Sequence, residues 1–318
     1  MTEDHGEPDT LTVYKTAAGN HRRDHINQRQ IDVTIQEALP MLRDVNPQEV
    51  GIIAPYRDQV SAITQQLGSR PIEVDTVHKF QGREKDTILL TTVDDVLSDF
   101  SDDPYLLNVA ISRAKRRLTL VVSGNEQPVD SIIGDLISYI EYNNFKIVQS
   151  EIRSIFDLLY RQYTDARIAF LKEHLSISVY ASENLMYGKI VEILKSERYS
   201  TLSFNIICHQ PLNMLIRDPK HLSDEERKYA MNPSTHLDFL LYNQISKKPV
   251  LAIEVDGFHN HKPGTRQYER DRLKDHILEL YEIPLRRFPT NGSEECTKIE
   301  QFLAEYANKS RSYPVSNK

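Results

Sequence analysis

The residues best suited to chemistry lie in one stretch, HLDFLLYNQISKKPVLAIEVDGFHNH. Two strand-like runs, HLDFLLYN and PVLAIEVDG, flank a polar turn with Lys247, Lys248 and Pro249 near its end. Asp238 and Glu254 are equidistant from Ser246 at the centre of that turn, so a regular antiparallel hairpin sets them opposite each other on one face. Such Cβ atoms lie about 4.5–5.5 Å apart, where two like charges are destabilising. A divalent cation turns the repulsion into coordination, because hard cations choose oxygen ligands. Asp256 shares the face of Glu254, since strand side chains alternate with period two. Three carboxylates converging at a strand end would hold Mg²⁺ (or Mn²⁺), activate water and steady a scissile phosphate. Two plainer arrangements fit the same residues. Asp238 and Glu254 could line the wet face of a half-buried sheet, or form ion pairs with Arg270, Arg272 or Arg286. His259 and His261 make an H-x-H pair, which alone is a weak zinc pattern.

Several elements must position these groups. Ser182 is placed to cap the helix SENLMYGKIVEILKSE, with Glu183 in its first turn. Strands follow at SFNIICHQ and in the hairpin, then a charged helix TRQYERDRLKDHILELY, a strand PLRRF and a terminal helix around KIEQFLAEYA. These make a domain over 181–310, with 311–318 as a tail. Residues 126–180 read as a helical connector, with Ile132, Ile133, Leu136, Ile137 and Ile140 on one helix and Ile155, Leu158 and Leu159 on another. Residues 1–125 alternate helices with apolar runs, EVGIIAP, TILLTTV and LTLVVSG. Strands buried on both faces read this way, so the expected fold class is α/β, with a parallel sheet in a RecA-like or Rossmann-like layering. Within the same region, Ile35, Ala38, Leu39 and Leu42 mark one amphipathic helix.

Three segments of this first region, in order, resemble motifs IV, V and VI of superfamily 1 helicases of the RNA-decay and Okazaki-processing type. They are VGIIAPYRDQV, VDTVHKFQGREKDTILLTTV and LNVAISRAKRRLTLVV. The resemblance implies a second RecA-like motor lobe in which Arg57 and Arg113 are the two arginine fingers. It implies that Gln81, Gly82, Arg83 and Glu84 form the motif V turn, with Glu84 on the ribose, and that Thr76, His78 and Lys79 lie nearer the nucleic-acid backbone. Arginine suits the finger role, being permanently charged and able to bond two oxygens of a phosphoryl group whose charge grows in the transition state. The phosphate loop G-x-x-x-x-G-K-[ST] is absent. Its nearest imitation, Gly188-Lys189, is followed by Ile190, and Glu183 stands at the first glycine's place. ATP is therefore expected only in complex with a first lobe, separate or encoded upstream, and the chain reads as a piece of a longer helicase–nuclease.

The second region resembles the PD-(D/E)XK restriction-endonuclease fold, a mixed-sheet α/β domain. It is nearest to bacterial domains related to very-short-patch-repair endonucleases. The resemblance rests on Ser182-Glu183, Asp238-Phe239, Ile253-Glu254, Asp256-Gly257, His259, Arg270-Asp271 and Leu273. It implies that Asp238, Glu254 and the Val255 carbonyl bind metal, that Glu183 lies behind them, and that His259 serves proton transfer. The lysine usual two residues after the acidic strand residue is replaced by Asp256. The positive charge must then come from His259, His261, Lys262 or Lys274.

Composition narrows the remaining choices. A chain of 318 residues with 39% hydrophobic and 27% charged residues suits two soluble domains. A net charge of -7 argues against a histone-like binder, in spite of basic runs at Lys115-Arg116-Arg117 and Arg286-Arg287. Cys208 and Cys296 are the only cysteines, which excludes disulfide frameworks and zinc ribbons and suggests a reducing, cytoplasmic setting. No apolar run approaches the roughly 20 residues that span a bilayer. The expectation is a metal-dependent DNA endonuclease coupled to a helicase lobe, in bacterial DNA repair or phage defence. The alternative is a non-catalytic DNA-binding subunit completing a split helicase.

Overall fold

The computed structural model describes residues 10–257 and 265–312, with side chains through 308. The chain divides into two compact units, Met1–Arg153 and Ser154–Lys318. No helix among the described residues is long and apolar enough to cross a membrane.

The first unit begins with β1 (Leu11–Lys15), then a short hairpin of β2 (Arg22–Arg23) and β3 (Ile26–Asn27). Asn27 caps α1 (Gln28–Val33), its side chain accepting from the N–H of Gln30. The helical path continues to Leu42 through a π turn and a 3₁₀ turn instead of regular α-helix. Pro40, which cannot donate an N–H, stands within that departure. The unit then runs β4 (Val50–Ala54), α2 (Arg57–Leu67), β5 (Glu73–Thr76), β6 (Lys85–Thr91), α3 (Pro104–Arg113), β7 (Ala114–Val122), α4 (Ile132–Tyr142) and β8 (Lys146–Gln149). All six long strands are parallel, in the order β5-β4-β6-β7-β1-β8.

Both faces of this sheet are covered, which is why its strands read as continuous apolar runs. Ile88, Leu90, Leu118 and Leu120 pack with Leu106 and Ala110 of α3 and Ile133, Ile137 and Ile140 of α4. Ile52, Leu89 and Val121 pack with Ile31 of α1 and Ile63 and Leu67 of α2.

The stretch 126–180, read from sequence as a connector, is instead shared between the units. The apolar stripe of α4 is buried in the first core, and β8 extends the first sheet by pairing with β1, Val13 against Ile147. The segment Ile155–Leu159 belongs to the second unit, where Phe156 is wholly buried. The short, half-buried KIVQ strand carried too little periodicity to be seen.

The second unit contains α5 (Thr164–Glu173), α6 (Ala181–Lys195), β9 (Phe204–Pro211), α7 (Leu212–Leu215), α8 (Asp224–Ala230), β10 (His236–Asn243), β11 (Pro249–Asp256), α9 (Arg266–Leu280), β12 (Leu285–Pro289) and α10 (Glu295–Ser312). Its sheet is mixed, ordered β12-β11-β10-β9, with β11 and β12 parallel and the other pairs antiparallel. Phe239, Leu241, Leu251 and Ile253 face α6 and α10, while Leu240 and Ala252 face Leu278 of α9. The expected Ser182 cap is not formed. Helix α6 starts one residue earlier, and Asn184 holds its entry by accepting from the N–H groups of Ile177 and Ser178. Gly188 sits inside α6, where a Cβ would lie 2.6 Å from the Phe170 ring, so it serves helix packing.

Candidate active site

The β10–β11 hairpin carries the register that sets Asp238 across from Glu254. Phe239 pairs with Ile253, Leu240 with Ala252 and Leu241 with Leu251; a one-residue slip comes only at Tyr242, which pairs with Pro249. The irregularity sits at the turn, where Lys247 takes a left-handed φ of 58°. The two acidic residues also interlock. The Val255 N–H donates to Asp238 Oδ2 at 2.8 Å, and the Asp238 N–H donates to Glu254 Oε1 at 3.3 Å.

Glu254 is buried, 5% exposed. The only charge partner that the described geometry gives it at hydrogen-bond distance comes from α9. Lys274 Nζ donates to Glu254 Oε2 at 2.6 Å and to the His236 carbonyl at 2.9 Å. Helical spacing explains its reach. Ile277 and Leu278, three and four residues on, are wholly buried, so Lys274 shares the inward side of α9.

Burial raises the Glu254 carboxyl to about 7, with Lys274 opposing the rise and Asp238 adding to it. Burial also raises Asp238, against the Val255 N–H and with a contribution from Glu183. Each carboxylate thus resists ionising beside the other unless further positive charge is supplied.

Asp256 follows a different course. Arg287 of β12 donates to its two oxygens at 3.0 and 3.3 Å, and reaches Asp275 at 2.8 Å and Asp271 at 3.6 Å. The expected convergence of three carboxylates is corrected accordingly. Among the described residues no group of three or more His, Cys, Asp or Glu side chains could hold a metal ion. Asp256 is committed to an arginine.

Glu183 Oε2 lies 3.0 Å from His209 Nε2. Its charge, after burial, also helps hold the Cys208 thiol up at about 11. His259, His261 and Lys262 lie outside the described residues. Arg270 stands over Tyr229, Arg272 pairs with Glu269, and Arg286 stands over Phe302. The cations at the carboxylates are therefore Lys274 and Arg287, and burial of Glu254 removes the wet-face alternative for that residue.

Asp238 and Glu254 present carboxylate oxygens side by side across the β10–β11 pairing. That chemistry fits a hard divalent cation such as Mg²⁺ or Mn²⁺. The cation would add positive charge beside Asp238 and Glu254, which Lys274 alone supplies to Glu254 at hydrogen-bond distance.

In the first unit the expected residues are mostly exposed, and they separate. Arg57 opens α2, just past the carboxyl end of β4, and Thr76 ends β5 at the same edge. Arg113 closes α3 at the amino end of β7, where Ala114 pairs with Lys85, next to Glu84. The two arginines expected to act on one phosphoryl group therefore stand at opposite edges of the sheet, separated by about 20 Å of strand β6.

Arg83 pairs with Glu73 and lies 4.0 Å from Asp75, and Lys79 lies 3.6 Å from Asp75. Gln81, Gly82, Glu84 and His78 are exposed. Gly82 adopts φ 82°, which only glycine takes readily, so the motif V turn depends on it.

Residues 8–126 match the AAA domain family. Residues 177–306 match a family described as protein of unknown function (DUF2726). The chain is similar to the DNA replication ATP-dependent helicase/nuclease DNA2 of Xenopus tropicalis, 40% identical over 82 residues, which are 24% of this chain and 8% of the relative. It is similar to the DNA replication ATP-dependent helicase/nuclease dna2 of Schizosaccharomyces pombe, 29% identical over 156 residues, 47% of this chain and 11% of the relative. The chain thus matches about a tenth of these relatives' length. A solved structure, the C-terminal domain of a possible DNA helicase from Lactobacillus plantarum WCFS1, aligns with a TM-score of 0.32 and 16% identity, covering 45% of this chain and 86% of that one.

Within the AAA segment, the residues matching helicase motifs V and VI, Gln81 to Glu84 and Arg113, are those that gather at the amino edge of the sheet. Two residues at the second unit's site escaped sequence reading. His209 lies across from Asp238, between the pairs Leu237–Gln210 and Phe239–Cys208, at a left-handed φ of 51°. No sequence signal marks that kink. Arg287 could have been found, since alternation from the buried Phe288 puts it on the other face of β12, but only once β12 is known to lie beside β11.

Proposed function

We propose that the second unit is a metal-dependent phosphodiester hydrolase acting on DNA. In this reading the AAA segment is the second lobe of an ATP-dependent superfamily 1 helicase. The observation that carries the hydrolytic part is half-buried Asp238 facing buried Glu254, with Lys274 at 2.6 Å from Glu254. Asp238, Glu254 and the Val255 carbonyl would hold Mg²⁺ or Mn²⁺. When bound, that ion activates water and neutralises charge on the scissile phosphate.

Lys274 takes the part of the lysine missing after Glu254. It orients the Glu254 carboxylate and keeps a positive charge in the pocket. Glu183, in contact with His209, sets the charge behind Asp238. Arg287 keeps Asp256 in place on the neighbouring strand. In the AAA segment, Arg113 and the Gln81–Glu84 turn serve a nucleotide held by a partner lobe, since this chain has no phosphate loop. DNA repair or phage defence in bacteria fits such a pairing of cutting and unwinding.

A second reading is favoured by one feature. Glu254 and Asp256 already have cationic partners, as they would in a DNA-binding module that does not cut. Incubation with single- and double-stranded DNA, each with Mg²⁺, Mn²⁺ or EDTA, separates the two. Metal-dependent cutting that disappears in Asp238→Ala supports hydrolysis. Binding without cutting on every substrate supports the module, and cutting that survives Asp238→Ala sinks the proposed site.

A further inference from the structure

The second unit carries a groove at the turn that joins β10 to β11, the end of the hairpin away from Asp238 and Glu254. Its volume is about 740 Å³. The floor comes from β9 and β10, where Ile207 pairs with Leu240 and Tyr242 lies two residues further along the same face. Met214 of α7 and Tyr281, just past α9, also line it. Ile207 is 37% exposed and Met214 71%, so apolar surface is open to solvent there. Arg217, Lys247 and Lys248 belong to the same lining, and all three are exposed.

Backbone contacts, not acids, hold these cations in place. In the turn, Asn243 Oδ1 accepts from the N–H of Ile245 at 3.0 Å and of Ser246 at 2.9 Å. The Lys247 N–H donates to the Asn243 carbonyl at 2.9 Å. Beyond α7, Ile216 is buried with Leu222 and Ile277, and the Tyr281 hydroxyl donates to the Asp218 carbonyl, which fixes the segment that bears Arg217. Among the described residues none of the three cations is ion-paired; Asp218, beside Arg217, faces Lys220 at 3.8 Å. Glu282 is the one acid in the lining. In a chain of net charge -7, three cations left unpaired around one groove favour an anionic occupant.

We infer that this groove seats a single strand of DNA, away from the point of cutting. Arg217, Lys247 and Lys248 take the phosphates, and unstacked bases lie on Tyr242, Met214 and Ile207. A duplex keeps its base faces stacked inside and has nothing to offer the apolar floor. Distance ties the groove to the hydrolytic site. Six residues of β11 separate Glu254 from Lys248, about 20 Å at the rise of a strand. That is about six nucleotides at the 3.4 Å rise of one DNA strand. A strand with its scissile phosphate at Asp238 and Glu254 therefore needs only a short extension to reach the groove.

The inference rests on the hydrolase reading but fails separately from it. The full chain in EDTA, where no metal-dependent cutting occurs, is titrated into dye-labelled oligo-dT, the same strand with abasic sites, and a polyglutamate peptide. Oligo-dT is expected to bind most tightly. Replacing both lysines, Lys247→Ala with Lys248→Ala, should weaken it about tenfold and lower the salt slope by about 1.4, the share of two phosphates. Lys247→Arg with Lys248→Arg should retain binding, and Met214→Ser should erase the preference over the abasic strand. Circular dichroism checks that each variant is folded. Photocrosslinking with 4-thiothymidine in the strand should mark the segments around Met214 and Tyr242. Oligo-dT binding that ignores the double alanine variant, or crosslinks confined to the first unit, overturns the seat and leaves the hydrolase reading intact. Polyglutamate binding that depends on both lysines, without strand binding, assigns the groove to an acidic protein and also overturns it. If no strand binds, the seat is wrong, and metal-dependent cutting by the same preparation decides whether the hydrolase reading falls with it.

Discussion

The two units solve the problem of placing charge in opposite ways. In the second, the groups that could do chemistry are buried or half-buried and answer one another: Asp238 to the Val255 N–H, Glu254 to Lys274, Asp256 to Arg287. In the first, Arg57, Gln81, Glu84 and His78 are exposed, and Arg113 donates to its neighbour Ser112, at 3.1 Å. A buried ionic site shapes its own pocket and must be self-consistent to fold. A surface of arginines is half of a site, and a second surface gives it meaning. Substitutions should therefore be felt in folding and chemistry together in the second unit, and in neither when the first unit is probed alone.

The largest effect is expected at Lys274. Lys274→Met should lower metal-dependent cleavage by about 100-fold or more. It should also destabilise the second unit by about 3 kcal/mol at pH 8, where Glu254 would be left charged and unpaired. Near pH 5.5 the stability loss should shrink, because Glu254 can then take up a proton. Chemical denaturation at both pH values measures this, and equal losses would show that the pair is not electrostatic.

Next in size is Arg287→Met, which removes the guanidinium that Asp256, Asp271 and Asp275 share. A loss of about 2–3 kcal/mol is expected. Cleavage by the remaining folded protein should be affected less than in Lys274→Met, and a reversed order would mean that Asp256, not Glu254, is the central acid.

The pH dependence of stability sharpens the contrast further. Glu254 is raised from 4.5 to about 7, so the folded state holds its proton more tightly than the unfolded chain. Its contribution is complete below the unfolded value and lost as pH rises through about 7. Metal-free protein should lose stability across that window, Glu254→Gln should flatten the loss, and Mn²⁺ should offset it. A wild-type profile that stays flat from pH 5 to pH 8 would contradict the assignment.

The smallest effects belong to the first unit. Arg57→Ala and Arg113→Ala should each move its unfolding free energy by no more than about 0.5 kcal/mol and leave cleavage by the chain alone unchanged. A large destabilisation by either would mean that the arginine is structural.

How much of this was legible in sequence follows from distance along the chain. The parallel sheet of the first unit declared itself through apolar runs such as TILLTTV, because both its faces are covered. The facing of Asp238 and Glu254 could be read from symmetry about Ser246, a local property of one hairpin that the slip near the turn does not disturb. Lys274 was legible only as one of several possible cations, since its role depends on how α9 lies on the sheet.

Arg287 and His209 required strand order and a left-handed kink, neither of which leaves a local mark. The same limit explains Arg57 and Arg113. Motifs arranged in series along the chain gave no warning that the strands between them carry the two arginines to opposite edges. The connector failed for the opposite reason: α4 is a clear amphipathic helix, but what it packs against is set by tertiary structure alone.

The most direct test is a Mn²⁺ titration of the full chain followed by electron paramagnetic resonance, which reads the free ion. Tight uptake near one ion per chain is expected in the wild type. It should be lost in Asp238→Asn and Glu254→Gln and retained in Arg113→Ala. Uptake that is absent in the wild type, or unchanged when Asp238 and Glu254 are both neutralised, would show that these two facing acids do not form a metal site.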